Sequence, residues 1–234
     1  DRMVGMSPAF YEKLMTGDYA GLEEAWEAYD ARLDRPVPRE AGVAIAGPAD
    51  APVLKLTNNK WVIDKAQVVA RLGLSRLVLV NDFGAIGHAT AQLGSAGLCH
   101  VAGPDHGLPE QGVVSIVGPG TGLGVAMLLT GPQPRVIETE GGHVGFASTD
   151  KVQDAVLAWL HTRHKRVSVE RIVSGPGLPA IMAALAGLEG LPEPAMADKD
   201  AWAAALDGTD DLAVRALDIF CRCFGSACGD FVLA

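Results

Sequence analysis

The chain has 234 residues, 49% of them apolar and 20% charged, a balance that excludes a disordered polypeptide and fits one large domain or two small ones. Nineteen Lys and Arg against 28 Asp and Glu leave a net charge of -9, which argues against nucleic acid or an anionic membrane as partner. The 28 glycines exceed the usual ~7% and gather in short clusters beside apolar runs.

In chain order, Leu22 to Leu33 carries apolar residues at helical spacing behind an acidic first turn and predicts an amphipathic helix, ended by Pro36 and Pro38. Gly42 to Ala46 predicts a strand stopped by Gly47-Pro48, and Val53 to Thr57 a second extended run. Asp64 is expected to cap a helix reaching Leu72, with Ala66, Val69 and Ala70 on one face and Gly73 closing it. Leu77 to Val80 has the continuous apolar character of a buried parallel strand, which completes a βαβ-like unit. Ala85 to Leu93 reads as helix. The Gly, Pro and His-rich stretch from Gly94 to Gly112 reads as a linker, giving a small α/β lobe over 1–93, the linker over 94–112 and a large α/β lobe over 113–234.

Val113 to Val117 and Val125 to Leu129 predict a hairpin around a glycine-rich turn, and Arg135 to Thr139 a third extended piece. The remainder is helical: Val152 to His161, Leu178 to Leu188, Ala201 to Leu206, and Leu212 onward. No apolar stretch approaches the ~20 residues of a membrane span, and Asp1 to Tyr11 lack the basic start and apolar core of a signal peptide, so a soluble cytoplasmic protein is expected. Cys99, Cys221, Cys223 and Cys228 include no CxxC pair, which argues against structural zinc. Cys221 and Cys228, seven apart in an apolar helical stretch, read as reduced core thiols. Both ends read as cut, because the apolar run from Asp230 to Ala234 has no cap or breaker and the first strong strand comes only at Gly42.

Four clusters carry the chemistry. Gly118-Pro119-Gly120-Thr121-Gly122-Leu123-Gly124 fails the dinucleotide pattern GxGxxG, with Leu at 123 and a strand following, and fails the P-loop pattern for want of Gly-Lys-Ser/Thr. A hairpin that merely needs positive φ would be content with one or two glycines. Four alternating glycines and a threonine hydroxyl suit backbone that approaches a phosphate closely.

Asn81-Asp82 follows a buried strand, where open α/β sheets present ligand-binding groups, and Asp82 there suits a base that takes a proton from an attacking hydroxyl. The competing role for Asp82 is to cap the helix beginning near Ala85. Glu140-Gly141-Gly142-His143 again sets polar side chains around bare backbone after an extended run, against the simpler alternative of a solvated turn. Glu170, in Ser168 to Gly177, either joins such a site or pairs with Arg166 or Arg171 on the surface. Neither a GxSxG elbow nor HExxH is present.

Taken together and in order, Leu79-Val80-Asn81-Asp82-Phe83, Gly118 to Gly124, Glu140-Gly141-Gly142-His143-Val144 and Glu170-Arg171-Ile172-Val173-Ser174-Gly175-Pro176-Gly177-Leu178 resemble the bacterial glucokinases. These belong to the hexokinase, Hsp70 and actin superfamily. The resemblance runs from about Val43 to the C-terminus and includes Thr57-Asn58 and Trp61, similar to the family's TNxxW. It implies an α/β fold of the two-lobed, actin-like (ribonuclease-H-like) sugar kinase type, with lobes that close over the sugar and exclude water. It also implies that the chain lacks both ends of that fold. The family's first phosphate loop, a motif like DxGGTN, is not found before Val43, and its glycine-rich adenosine segment would lie beyond Ala234.

The function implied by the resemblance is ATP-dependent phosphorylation of glucose at its 6-hydroxyl, a glycolytic step, with Mg²⁺ and without a dedicated protein metal site. Asp82 would be the general base and Asn81 would hold neighbouring hydroxyls. Glu140, His143 and Glu170 would bind the remaining ring hydroxyls beside the Gly122 backbone, and Gly120, Thr121 and Gly122 would form the second phosphate-binding hairpin. Phosphoryl transfer asks mainly for positioning and charge stabilisation, which glycine N–H groups and a threonine hydroxyl supply without a Walker lysine. The expected partner is a hexose, with a homodimer left open. The rival readings are a non-catalytic sugar sensor, which has no need of a base at Asp82, and an inactive truncated fragment.

Overall fold

The computed structural model describes residues 12–35, 37–47, 49–56, 59–93, 97–104 and 106–234. Thr57 and Asn58 of the TNxxW-like motif lie outside these, as do Asp1 to Tyr11, Pro36, Pro48 and Gly94. The chain divides into two units, Asp1–Ala85 and Ile86–Ala234.

In the first unit, helix α1 (Leu22–Asp30) precedes strand β1 (Glu40–Ile45), a short antiparallel pair of β2 (Val53–Lys55) and β3 (Val62–Asp64), helix α2 (Lys65–Leu72) and strand β4 (Arg76–Asn81). β4 lies parallel to β1, with Ile45 opposite Asn81, so the expected βαβ unit is present with a hairpin inserted into its connection. Asp64 caps α2, accepting the N–H of Ala66 and Gln67 at 3.0 and 3.1 Å. Gly73 ends it in the left-handed region at φ 63°, which a residue without Cβ reaches at little cost. The face of α2 differs from expectation. Val68 is the buried residue, with Val69 and Leu72 packed beside it, while Ala66 and Ala70 are exposed, because burial favours the larger side chains over the alanines. In β4 only Leu79 is fully buried and Val78 is exposed, so the apolar run alone overstates its burial.

Helix α3 (Asp82–Leu93) begins three residues earlier than the apolar pattern indicates. In the second unit a meander of β5 (Gly112–Pro119), β6 (Leu123–Thr130) and β7 (Arg135–Thr139) is antiparallel throughout. Gly87 of α3 fits against it, since a Cβ there would lie 2.8 Å from a Val136 methyl. Helices α4 (Lys151–His161), α5 (Gly177–Leu188), α6 (Asp198–Asp207) and α7 (Asp211–Leu233) follow. Their core joins Val156, Ile172, Leu178, Ile181, Met182, Ile219 and Phe220 to Leu123 and Val125 of the sheet. Asp150 caps α4 and ties it to α7 through Arg222 at 2.6 Å. Of the α7 thiols, Cys223 is the buried one and Cys221 is exposed, since two helical residues turn the chain by ~200°. Among the described residues no helix is long and apolar enough to cross a membrane.

Candidate functional site

In the first unit the site residues are placed by the end of β4. Pairing with β1 brings Asn81 level with Ile45, at the carboxyl ends of two parallel strands. Its side-chain amide donates to the Gly47 carbonyl at 3.4 Å, and its oxygen accepts the N–H of Phe83 at 2.9 Å and of Gly84 at 3.2 Å. Asn81 therefore caps α3, the competing role that the sequence leaves open for Asp82. The cap leaves Asp82 exposed in the first helical turn, where the dipole favours negative charge. Its Oδ1 accepts the adjacent Phe83 N–H at 2.9 Å.

In the second unit the glycine cluster forms the turn between β5 and β6, with Pro119 opposite Leu123 and residues 120–122 between them. None of these glycines adopts a positive φ. Gly120 and Thr121 are exposed, and the Gly120 N–H is turned inward to the Gly122 carbonyl at 2.8 Å. A Cβ at Gly122 would overlap the carboxylate of Glu170, whose Oε2 accepts the Leu123 N–H at 2.9 Å.

The Glu140 cluster follows β7 as a short 3-10 turn over Gly141–His143. Thr139 fixes its start, donating its hydroxyl to the Val125 carbonyl at 2.9 Å and accepting the Gly141 N–H at 3.2 Å. Gly142 is pressed against the Leu123 carbonyl, with no room for a Cβ. Segments 144–146 and 167–169 then run side by side, with Val169 N–H to Val144 carbonyl at 3.0 Å and Phe146 N–H to Val167 carbonyl at 3.1 Å. This brings the 3-10 turn Val169–Arg171 to the first one, and His143 comes to stand between two carboxylates. Its Nε2 lies 3.7 Å from Glu140 Oε2 and its Nδ1 lies 3.7 Å from Glu170 Oε1. Glu140 and His143 are exposed and Glu170 is half-buried, so acceptors and a two-nitrogen ring share an edge open to a polar ligand.

Five predicted residues, Gly120, Gly122, Glu140, His143 and Glu170, are thus gathered with Thr121 at the tip of their turn. Asn81 and Asp82 belong to the first unit. Sequence patterns did not reveal Thr139, Leu123 as a donor, or Trp202, whose indole N–H reaches the Gly175 carbonyl at 2.8 Å. Their partners lie on other elements, and no local spacing marks them.

The comparisons with known proteins agree with one another. A model of the glucokinase family matches residues 3–234. The chain is 51% identical over 220 residues to the glucokinase of Zymomonas mobilis, covering 94% of this chain and 68% of that protein. It is 38% identical over 217 residues to the glucokinase of Saccharophagus degradans, covering 92% and 67%. Among solved structures, glucokinase from an Antarctic psychrotroph superposes with a TM-score of 0.76 at 28% identity, covering 94% of this chain and 68% of that one. A ROK family glucokinase from Streptomyces griseus, in complex with glucose and AMPPNP, shares the fold with a TM-score of 0.53 at 22% identity over 89% of this chain and 66% of that one.

Proposed function

The chain belongs to the glucokinase family, a family of hexose kinases, and we propose that it phosphorylates glucose at the 6-hydroxyl with Asp82 as general base. The single observation that carries the assignment of Asp82 is the division of labour at the end of β4. Asn81 takes over the helix cap, which leaves the neighbouring carboxylate exposed and acceptor-ready. A base must first have reach and orientation, which favours a short carboxylate side chain held on a capped helix.

Glu140, His143 and Glu170 serve as the hydroxyl-binding set. A neutral polyol is held by paired donors and acceptors, and carboxylates beside an imidazole offer both kinds. Such a set discriminates against a sugar lacking a hydroxyl, since the loss leaves a group of the protein unpaired. Asn81, already committed through its oxygen to the α3 cap, orients whatever hydroxyl lies beside Asp82.

The tip of the turn at Gly120 and Thr121 fits a phosphate of ATP in being exposed and without a charged side chain of its own, while Gly122 faces the Glu170 carboxylate and the Gly120 N–H is spent internally. Thr121 offers the hydroxyl. Mg²⁺, carried mainly on the nucleotide phosphates, supplies neutralisation of the transferring charge. The test is a coupled assay of the whole chain with ATP, Mg²⁺ and a panel of hexoses. Formation of glucose 6-phosphate is expected, and sugar binding without turnover would favour the sensor instead.

A further inference from the structure

Trp202 of α6 is joined to the β5–β6 turn by two hydrogen bonds that pass through one residue. Its indole N–H donates to the Gly175 carbonyl at 2.8 Å, and the Gly175 N–H donates to the Gly120 carbonyl at 2.7 Å. The indole is set edge-on against Phe220 of α7, with centroids 5.0 Å apart and planes at 86°. Core packing, not a solvated rotamer, therefore aims the donor.

Position 175 is confined as well. A Cβ there would lie 3.1 Å from the Gly120 carbonyl oxygen, and the residue is not in the left-handed region, so it is the close approach and not the backbone conformation that favours glycine. At the other shoulder of the turn, Glu170 holds the Leu123 N–H. The turn is gripped at Leu123 by a residue of the hydroxyl-binding set and at Gly120 by the relay from Trp202.

From this relay we infer that Trp202 is a positioning residue for the phosphoryl donor, fixing through Gly175 the Gly120 end of the turn whose exposed Thr121 meets the donor's phosphates. The inference rests on the assignment of the Gly120–Gly122 turn to ATP made above. A turn without charged side chains contributes through the direction of its dipoles, and a misplacement of ~1 Å in such a site can cost about 100-fold in rate. The Glu170 grip is independent of Trp202, so the effect falls on the donor and not on the sugar.

Trp202→Phe keeps a ring against Phe220 and removes the donor alone. Gly175→Ala disturbs the same relay from the Gly120 side and leaves the indole in place. In each variant of the whole chain, ATP affinity measured by equilibrium dialysis should fall about three- to tenfold, as one lost neutral hydrogen bond supports. KM for ATP should rise with it, KM for glucose should hold, and in Trp202→Phe the Gly175 amide should exchange faster with solvent. Wild-type ATP affinity in both variants overturns the inference. So does an equal loss for ATP and glucose that tracks a lowered Tm, which marks a merely structural role. A wild-type chain that binds ATP and does not phosphorylate glucose counts against the proposed function, while the dialysis and exchange measurements still decide the relay.

Discussion

Glu170 and Leu123, 47 residues apart in sequence, are joined by a 2.9 Å hydrogen bond from the Leu123 N–H to the Glu170 carboxylate, through space that a side chain at position 122 would fill. Gly122→Ala should therefore push Glu170 off Leu123 and away from His143, raising KM for glucose. Glu170→Gln keeps an acceptor for Leu123 but loses the charge facing His143, so it should raise KM for glucose with little change in Tm. A Gly122→Ala protein with wild-type KM would detach Glu170 from the sugar.

The same pair shows what could be read from sequence and what could not. Every strand and helix with a strong period was legible, because apolar spacing and caps such as Asp64 and Gly73 act within a few residues. The short β3 was not, since three residues carry too little pattern. The site motifs were legible as types, but their purpose shifted. Gly122, Gly142 and Gly177 are required by Glu170, the Leu123 carbonyl and the Ile172 carbonyl, so at these three positions glycine serves contacts within the protein. Trp202 and Thr139 act across elements, where sequence spacing carries no information.

Asp82→Asn preserves size and removes the base. In the hexose-dependent assay kcat should fall about 100-fold or more, with KM for glucose nearly unchanged, the pattern of an interaction needed only in the transition state. Turnover within a few-fold of wild type would remove Asp82 from the proton transfer.

Asn81→Ala strips the cap from α3 and the contact to Gly47 together. Loss of a helix cap costs about 1 kcal/mol, or ~2–4 °C in Tm for a protein of this size. Since Asp82 rides on the first turn of that helix, kcat should fall as well. Asn81→Asp restores the acceptor for Phe83 and Gly84, so it should recover most of the Tm but not the amide contact to Gly47. Equal Tm for wild type and Asn81→Ala would show that the cap contributes nothing.

Cys221 and Cys223 lie on opposite sides of α7, and their chemistry should separate accordingly. Cys221 is exposed and should react with an aromatic disulfide reagent in the native protein, whereas Cys223 should react only on unfolding. Burial, aided by the nearby Asp150 charge, pushes the Cys223 thiol from 9.0 up to about 12. Between those values the unfolded chain has released a proton that the native state still holds, so this thiol lowers stability as pH rises above about 9 and contributes nothing at neutral pH. Other groups titrate in the same range, so the informative quantity is the Tm difference between wild type and Cys223→Ala followed from pH 7.5 to 10.5, in steps of about 0.5. Wild type should lose ground steadily against the variant above pH 9. A difference that stays flat across the range, or native-state labelling of Cys223 at the rate of Cys221, would place the Cys223 thiol in contact with water and not in the core beside Phe220.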